Sequence, residues 1–150
     1  MCVTDDESTE LGPVIGYENK KRIYSFIESA EPDGAKRVVD CRIQSDKLEG
    51  CFVVPTLIDN VKPGMSVYDY EIFGPGLSFV RADSYDHAMK IAHIHKLGNG
   101  AALCTRDGGV AKKWAEEIPA GAGGINDHMP LPNYAQRFGG WTWSGITESN

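Results

Sequence analysis

No hydrophobic run in this chain is long enough to cross a bilayer: the longest mostly apolar stretch, Cys51 to Ile58, is short and Pro55 interrupts it. The opening residues Met1-Cys2-Val3-Thr4-Asp5-Asp6 have neither a basic nor an apolar segment, so they do not have the form of a secretory signal. Cysteine is sparse. Cys2, Cys41, Cys51 and Cys104 include no CxxC pair, which removes the zinc-ribbon and thioredoxin readings. Free thiols in a reducing cytosol are the expectation, and with them a cytoplasmic protein. Histidines are few. His87, His93 and His95 share one predicted helix, but no HExxH or HxxxH pair exists, so no metal site is expected. No Lys/Arg cluster marks a basic face, which speaks against a nucleic-acid partner.

Positive charge is short overall, with 15 Lys+Arg against 21 Asp+Glu and a net charge of −6. Four of those six charges come from Asp5, Asp6, Glu7 and Glu10, so residues 11–150 carry only −2. We expect residues 1–10 to be an acidic, flexible lead-in and residues 11–150 to be the folded body. At 41% hydrophobic and 24% charged residues over 150 positions, the chain has the composition of a soluble globular domain able to bury a core.

Periodicity then gives an order of elements. Glu18 to Ala30 reads as a helix with Ile23, Ile27 and Ala30 on one face, stopped by Pro32-Asp33-Gly34. Arg37 to Ile43 and Gly50 to Asp59 read as strands, the second placed at an edge or a bulge by Pro55. Leu77 to Arg81 is a third strand. Asp83 or Ser84 caps a helix to about Lys96 with Tyr85, Ala88, Ile91, Ala92 and His95 on one stripe. Gly100 to Thr105 is a buried strand, Val110 to Ile118 a helix with Trp114 inward, and Gly121 to Asn126 another strand. Six Gly and three Pro from Pro119 onward predict a loop-rich tail. Strands alternating with helices predict an α/β fold with parallel βαβ units, the sheet covered on both faces.

The most informative stretch is Glu71-Ile72-Phe73-Gly74-Pro75. A carboxylate there can accept hydrogen bonds from sugar hydroxyls, and an aromatic two residues on shares its side if the backbone is extended. On pattern alone a solvated Glu beside a core Phe at a turn is the simpler reading. The stretch resembles the EIFGP signature of the aldehyde dehydrogenase superfamily, and the resemblance is not confined to it. Glu10-Leu-Gly-Pro-Val-Ile15, Gly98-Asn-Gly-Ala-Ala-Leu-Cys-Thr-Arg-Asp107 and Phe138-Gly-Gly-Trp-Thr-Trp-Ser-Gly145 resemble further family segments, in family order. With Asp59-Asn-Val-Lys-Pro-Gly-Met65 and Val80-Arg-Ala-Asp-Ser-Tyr-Asp86 they are most similar to the CoA-acylating methylmalonate-semialdehyde dehydrogenase branch.

The resemblance implies part of a catalytic domain that oxidises a short semialdehyde with NAD and passes the acyl group to CoA. In that chemistry a cysteine thiolate attacks the aldehyde and hydride leaves to NAD⁺. Glu71 resembles the residue that holds the nicotinamide-ribose hydroxyls, Phe73 the one that packs on the nicotinamide end, and Asn126 falls at a site-adjacent position that is structural on its simpler reading. No catalytic residue is expected within the chain. The family's nucleophilic Cys, its catalytic Asn and its cofactor domain correspond to positions upstream of Met1, and the lysine of FGGxKxSG is replaced by Thr142. The expectation is therefore a chain silent alone, acting within a homo-oligomer or with a complementary N-terminal half. A non-catalytic remnant, or an interaction subunit that pairs with a separate N-terminal half, is the alternative.

Other groups have plainer readings. Cys104 and Cys51 are expected to be buried structural thiols, with no cationic neighbour to lower their pKa. Gly98-Asn99-Gly100 lacks the third glycine of a dinucleotide fingerprint. Gly121 to Gly124 reads as small-residue packing, and Trp141 and Trp143 as packing or interface residues left uncovered.

Overall fold

The structure is a computed structural model that describes residues 11–40, 42, 47–129 and 139–145. The acidic lead-in, Cys2, Cys41 and Ile43 of the predicted first strand, residues 44–46 and much of the predicted loop-rich tail lie outside these. The chain forms two compact units, one ending at Arg81 and one beginning at Ala82.

In the first unit, helix α1 (Tyr17–Ser29) starts at Gly16 with Glu18 in its first turn, where a carboxylate suits the positive helix end. Its buried stripe is Ile23, Ile27 and Ala30, at helical spacing as predicted. The chain reverses at Gly34, whose φ of 97° suits a residue without Cβ. Strand β1 (Lys36–Val39) follows, then β2 (Thr56–Val61), a single turn of helix α2 (Ser66–Asp69) and β3 (Gly76–Val80). The sheet order is β1-β2-β3. The β2–β3 pair is parallel, with Leu57 opposite Leu77 and Ile58 opposite Ser78, while β1 runs antiparallel to β2. The predicted parallel pairing is present, and an antiparallel strand joins it.

Pro55 had suggested an edge strand, yet β2 is central. The proline sits one residue before the ladder begins, so its missing N–H is not called upon, and Thr56 N–H donates to the Pro75 carbonyl at 2.9 Å. A bulge does occur, further along: the register shifts between Ile58 and Val61, and Asn60 takes a φ of 57°. The core lies between α1, α2 and one face of the sheet. Ile23, Ile27, Val53, Ile58, Val61, Met65, Val67 and Ile72 form it, each isoleucine contributing roughly 1.5–3 kcal/mol of burial. Ser29 and Ser66 hydroxyls meet at 2.6 Å, tying α1 to α2. The opposite face carries Val39, Leu77 and Phe79, with 38, 53 and 46% exposure, so this sheet is covered on one face rather than both.

In the second unit, α3 (Tyr85–Ile94) is capped by the Ser84 hydroxyl, which accepts from His87 N. Its buried residue is Met89, with Tyr85 and Ala92 half-buried one turn to either side. Of the predicted stripe, Ile91 is half-buried as well and so is His95, which lies just beyond the helix as its C-cap; Ala88 alone is exposed, and its neighbour Met89 takes the buried place. Strands β4 (Leu97–Gly98) and β5 (Gly100–Leu103) lead to α4 (Gly108–Glu117), whose N-cap Asp107 accepts from Val110 N. Then come β6 (Ala122–Ile125) and β7 (Trp141–Thr142). Strands β5 and β6 pair in parallel, Gly100 opposite Ala122 through Leu103 opposite Ile125, giving the predicted βαβ unit. Trp114 on α4 is buried and lies 3.3 Å from where a Cβ on Gly123 would be. Tyr85 donates to Glu117 at 3.1 Å, and the Lys113 ammonium sits 4.7 Å from the Tyr85 ring centroid, linking the two helices. Among the described residues no helix is long and apolar enough to cross a membrane.

Candidate functional site

Glu71 and Phe73 occupy the connection between α2 and β3, on either side of Ile72. Ile72 is in the core at 8% exposure, whereas Glu71 is exposed and Phe73 is 78% exposed. A core role for Phe73 is thereby excluded. Its backbone is not extended either: φ is 53°, a left-handed conformation that costs a bulky residue about 1 kcal/mol or more. Two side chains able to bind, a carboxylate acceptor and an aromatic ring, stand out from a segment pinned by the residue between them.

The pinning comes from α1. The Arg22 guanidinium donates to the Ile72 carbonyl at 2.6 Å and to the Glu71 carbonyl at 3.5 Å. Its carbon lies 5.7 Å from the Phe26 ring centroid, within cation–π range. The next residue of the helix sets the following step of the segment. A Cβ on Gly74 would stand 2.5 Å from Ile23 Cδ1, so only glycine lets the chain pass this close to the helix. Sequence reasoning did not find Arg22. Its spacing to Phe26 was visible, but its partners lie 49 and 50 residues away.

At the far end of the β2–β3 pair, Arg81 clasps Asp59 through Nε at 3.0 Å and a terminal nitrogen at 2.6 Å. These bonds, and one from the Asn60 N–H, hold the Asp59 carboxyl below the usual carboxylate range.

Asn126 belongs to the second unit. Its Oδ1 accepts from Thr105 N at 2.8 Å and its own N–H donates to the Leu103 carbonyl at 2.7 Å. It therefore joins the carboxyl ends of the parallel strands β5 and β6, with a φ of 54° that Asn tolerates better than most residues. Cys104 is exposed and Cys51 half-buried. The buried reading of Cys104 fails: it follows β5 two residues after Ala102, which is itself exposed within the strand. The histidines are engaged locally: His93 Nδ1 with the Met89 carbonyl at 2.7 Å, His128 Nδ1 with Asp127 at 2.6 Å. Among the described residues no group of three His, Cys, Asp or Glu is placed to hold a metal.

The glycine run from Gly121 packs rather than cradles. A Cβ on Gly121 would fall 1.9 Å from the Gly139 carbonyl oxygen, and one on Gly98 would fall 2.5 Å from the Pro119 oxygen. The segment 139–145 is further held by Gly98 N–H to Ser144 Oγ at 2.9 Å and by Trp143 N–H to the Lys96 carbonyl at 3.0 Å. Trp141 and Trp143 remain 58 and 77% exposed.

Comparison with known proteins places these observations. The profile of the Aldehyde dehydrogenase family matches residues 2–150. Malonate-semialdehyde dehydrogenase 2 of Oceanobacillus iheyensis is 40% identical over 137 residues, 91% of this chain and 28% of that protein. A Dictyostelium discoideum mitochondrial protein, described as a probable acylating methylmalonate-semialdehyde/malonate-semialdehyde dehydrogenase, is 40% identical over 126 residues, 82% of this chain and 24% of its own. A Sinorhizobium meliloti 1021 protein assigned as a methylmalonate-semialdehyde dehydrogenase, with a crystal structure in complex with NAD, aligns with a TM-score of 0.86 at 42% identity, covering 91% of this chain and 28% of that one. The chain thus spans about a quarter of the length of these relatives.

Proposed function

Because this chain belongs to the aldehyde dehydrogenase family, we propose that it supplies the C-terminal part of the catalytic domain in an NAD-dependent oxidation of malonate or methylmalonate semialdehyde to an acyl-CoA. The observation that carries this reading is the outward pair Glu71 and Phe73, held by a buried Ile72 and left unused by the core. The residues fit the nicotinamide-ribose end of NAD. An exposed carboxylate offers two acceptor oxygens to a ribose diol, and an exposed ring offers a flat apolar face to a nicotinamide. NAD, when bound, supplies the hydride acceptor. Glu71 orients the ribose, Phe73 limits the space beside the ring, and Asn126 keeps the ends of β5 and β6 in register. Residues 11–150 form part of one catalytic domain on this reading, and the nucleophilic cysteine comes from outside the chain.

The test is complementation. The chain is assayed for NADH formation from malonate semialdehyde, NAD⁺ and CoA, alone and after co-expression with a malonate-semialdehyde dehydrogenase lacking the matched quarter. NADH should form only in the mixture, and Glu71→Gln should raise the KM for NAD⁺ about tenfold. NADH from the chain alone, or a Glu71→Gln mixture indistinguishable from wild type, would refute the reading. A second reading, a non-catalytic interaction subunit, draws on the exposed Leu77, Phe79, Trp141 and Trp143. It predicts self-association that grows with concentration in size-exclusion chromatography, and no NADH in any mixture.

A further inference from the structure

The geometry points to Arg22 as the positioning residue for Glu71 and Phe73, an assignment that rests on the reading of that pair given above. Arg22 is half-buried on α1, and its charge has no carboxylate partner among the described residues; its hydrogen bonds go to the carbonyls of Glu71 and Ile72 instead. Those carbonyls belong to the two peptide units leading into Phe73. A left-handed phenylalanine persists only where its surroundings over-determine it. Arg22 constrains the segment before Phe73, and the close approach of Gly74 to Ile23 constrains the segment after it. Both constraints come from consecutive residues of one helix turn. Phe26, one turn on, steadies the guanidinium from its face. An arginine suits this task because its planar fork reaches two acceptors at once, where a lysine is a single point charge.

Little of the fold depends on Arg22. Once it is removed, water can reach the carbonyls of a half-exposed segment, so the loss falls on geometry more than on stability. This separates a positioning role from a structural one. The test is an NMR titration with NAD⁺ of the isotope-labelled 150-residue chain within the complemented mixture used above, following the amides of residues 71–74 alongside the melting temperature of the chain. Arg22→Gln should disorder these amides and raise the half-saturating NAD⁺ concentration about three- to tenfold, the factor by which a smaller competent population weakens apparent binding. Its Tm should fall by no more than about 4 °C. Arg22→Lys should recover part of the affinity, and it carries the test if the Gln variant melts early. NAD⁺ affinity lost in Glu71→Gln but unchanged in Arg22→Gln and Arg22→Lys overturns the assignment and leaves the reading of Glu71 standing. Unchanged affinity in Glu71→Gln, or no shift at residues 71–74 in the wild-type mixture, overturns both.

Discussion

Replacing Gly74 by alanine adds one methyl group at a point where the structure has no space for it. The new Cβ would lie 2.5 Å from Ile23 Cδ1, 2.8 Å from Cγ1 and 3.3 Å from Cγ2. The backbone of Gly74 lies outside the left-handed region, so the conflict is spatial and not conformational. Ile23 cannot turn away, because it is fully buried at the centre of the α1 stripe. Either the isoleucine leaves its rotamer or the connection lifts off the helix. Overpacking of this kind costs about 1–3 kcal/mol; a mid-range loss of ~2 kcal/mol lowers Tm by roughly 6 °C in a chain of this size. Urea unfolding followed by circular dichroism measures it. The sharper control is a double-mutant cycle with Ile23→Ala, which removes all three opposing carbons. Ile23→Ala alone should cost about 2–5 kcal/mol. With that cavity open the added methyl has room, so the double variant should match Ile23→Ala to within about 0.5 kcal/mol. A Gly74→Ala protein as stable as wild type, or strictly additive losses in the double variant, would refute the argument that Gly74 is fixed by Ile23.

Phe73→Asn should raise Tm by a few degrees, since Asn tolerates the left-handed region at roughly 1 kcal/mol less cost, while weakening NAD⁺ handling in the complementation assay. Gly121→Ala should displace residues 139–145, because its Cβ overlaps the Gly139 carbonyl; faster amide exchange at Gly98 and Trp143 is the readout. Asp59 has its carboxyl held down by Arg81, so its contribution to stability is present above the ordinary aspartate range and is lost as pH falls through the lowered value. Acid unfolding should therefore shift to higher pH in Arg81→Gln, and an unshifted acid limb would remove the ion pair from the stability of β2 and β3.

What was legible in the sequence was what repeats locally. Ile23, Ile27 and Ala30 at helical spacing gave α1, and Ser84 and Asp107 gave the starts of two helices because capping is a contact across a few residues. The parallel pairing of β5 with β6 followed from a helix between two apolar runs. What depends on distant partners was not legible. Pro55 read as an edge signal, yet it lies just outside a central strand, and only the ladder shows which residue needs its N–H. Cys104 read as buried from its apolar neighbours, but it is exposed, as is Ala102 two residues before it in β5. The stripe on α3 was right but for one position, where Met89 and not Ala88 is the buried residue. Glu71 and Phe73 were found through resemblance to a family segment, since nothing in the residue pattern distinguishes them from an ordinary turn. Arg22 was not found at all.

The segment from Glu71 to Pro75 shows why the site and the fold can be told apart here. Three of its five residues have duties that packing alone explains. Ile72 fills the core, Gly74 is the only residue that fits against Ile23, and the carbonyl of Pro75 accepts the first hydrogen bond of β2. Glu71 and Phe73 have no such duty. An exposed phenylalanine forgoes the burial that would make it useful to stability, and in a left-handed conformation it adds strain as well. A sequence shaped by stability alone would place a smaller polar residue there. Strain and exposure at the same residue, next to a carboxylate on a segment fixed from both ends, support the contact role proposed for the pair. The proposal that Phe73 is a contact residue thus draws on its backbone and its packing as well as on the resemblance that first drew attention to it.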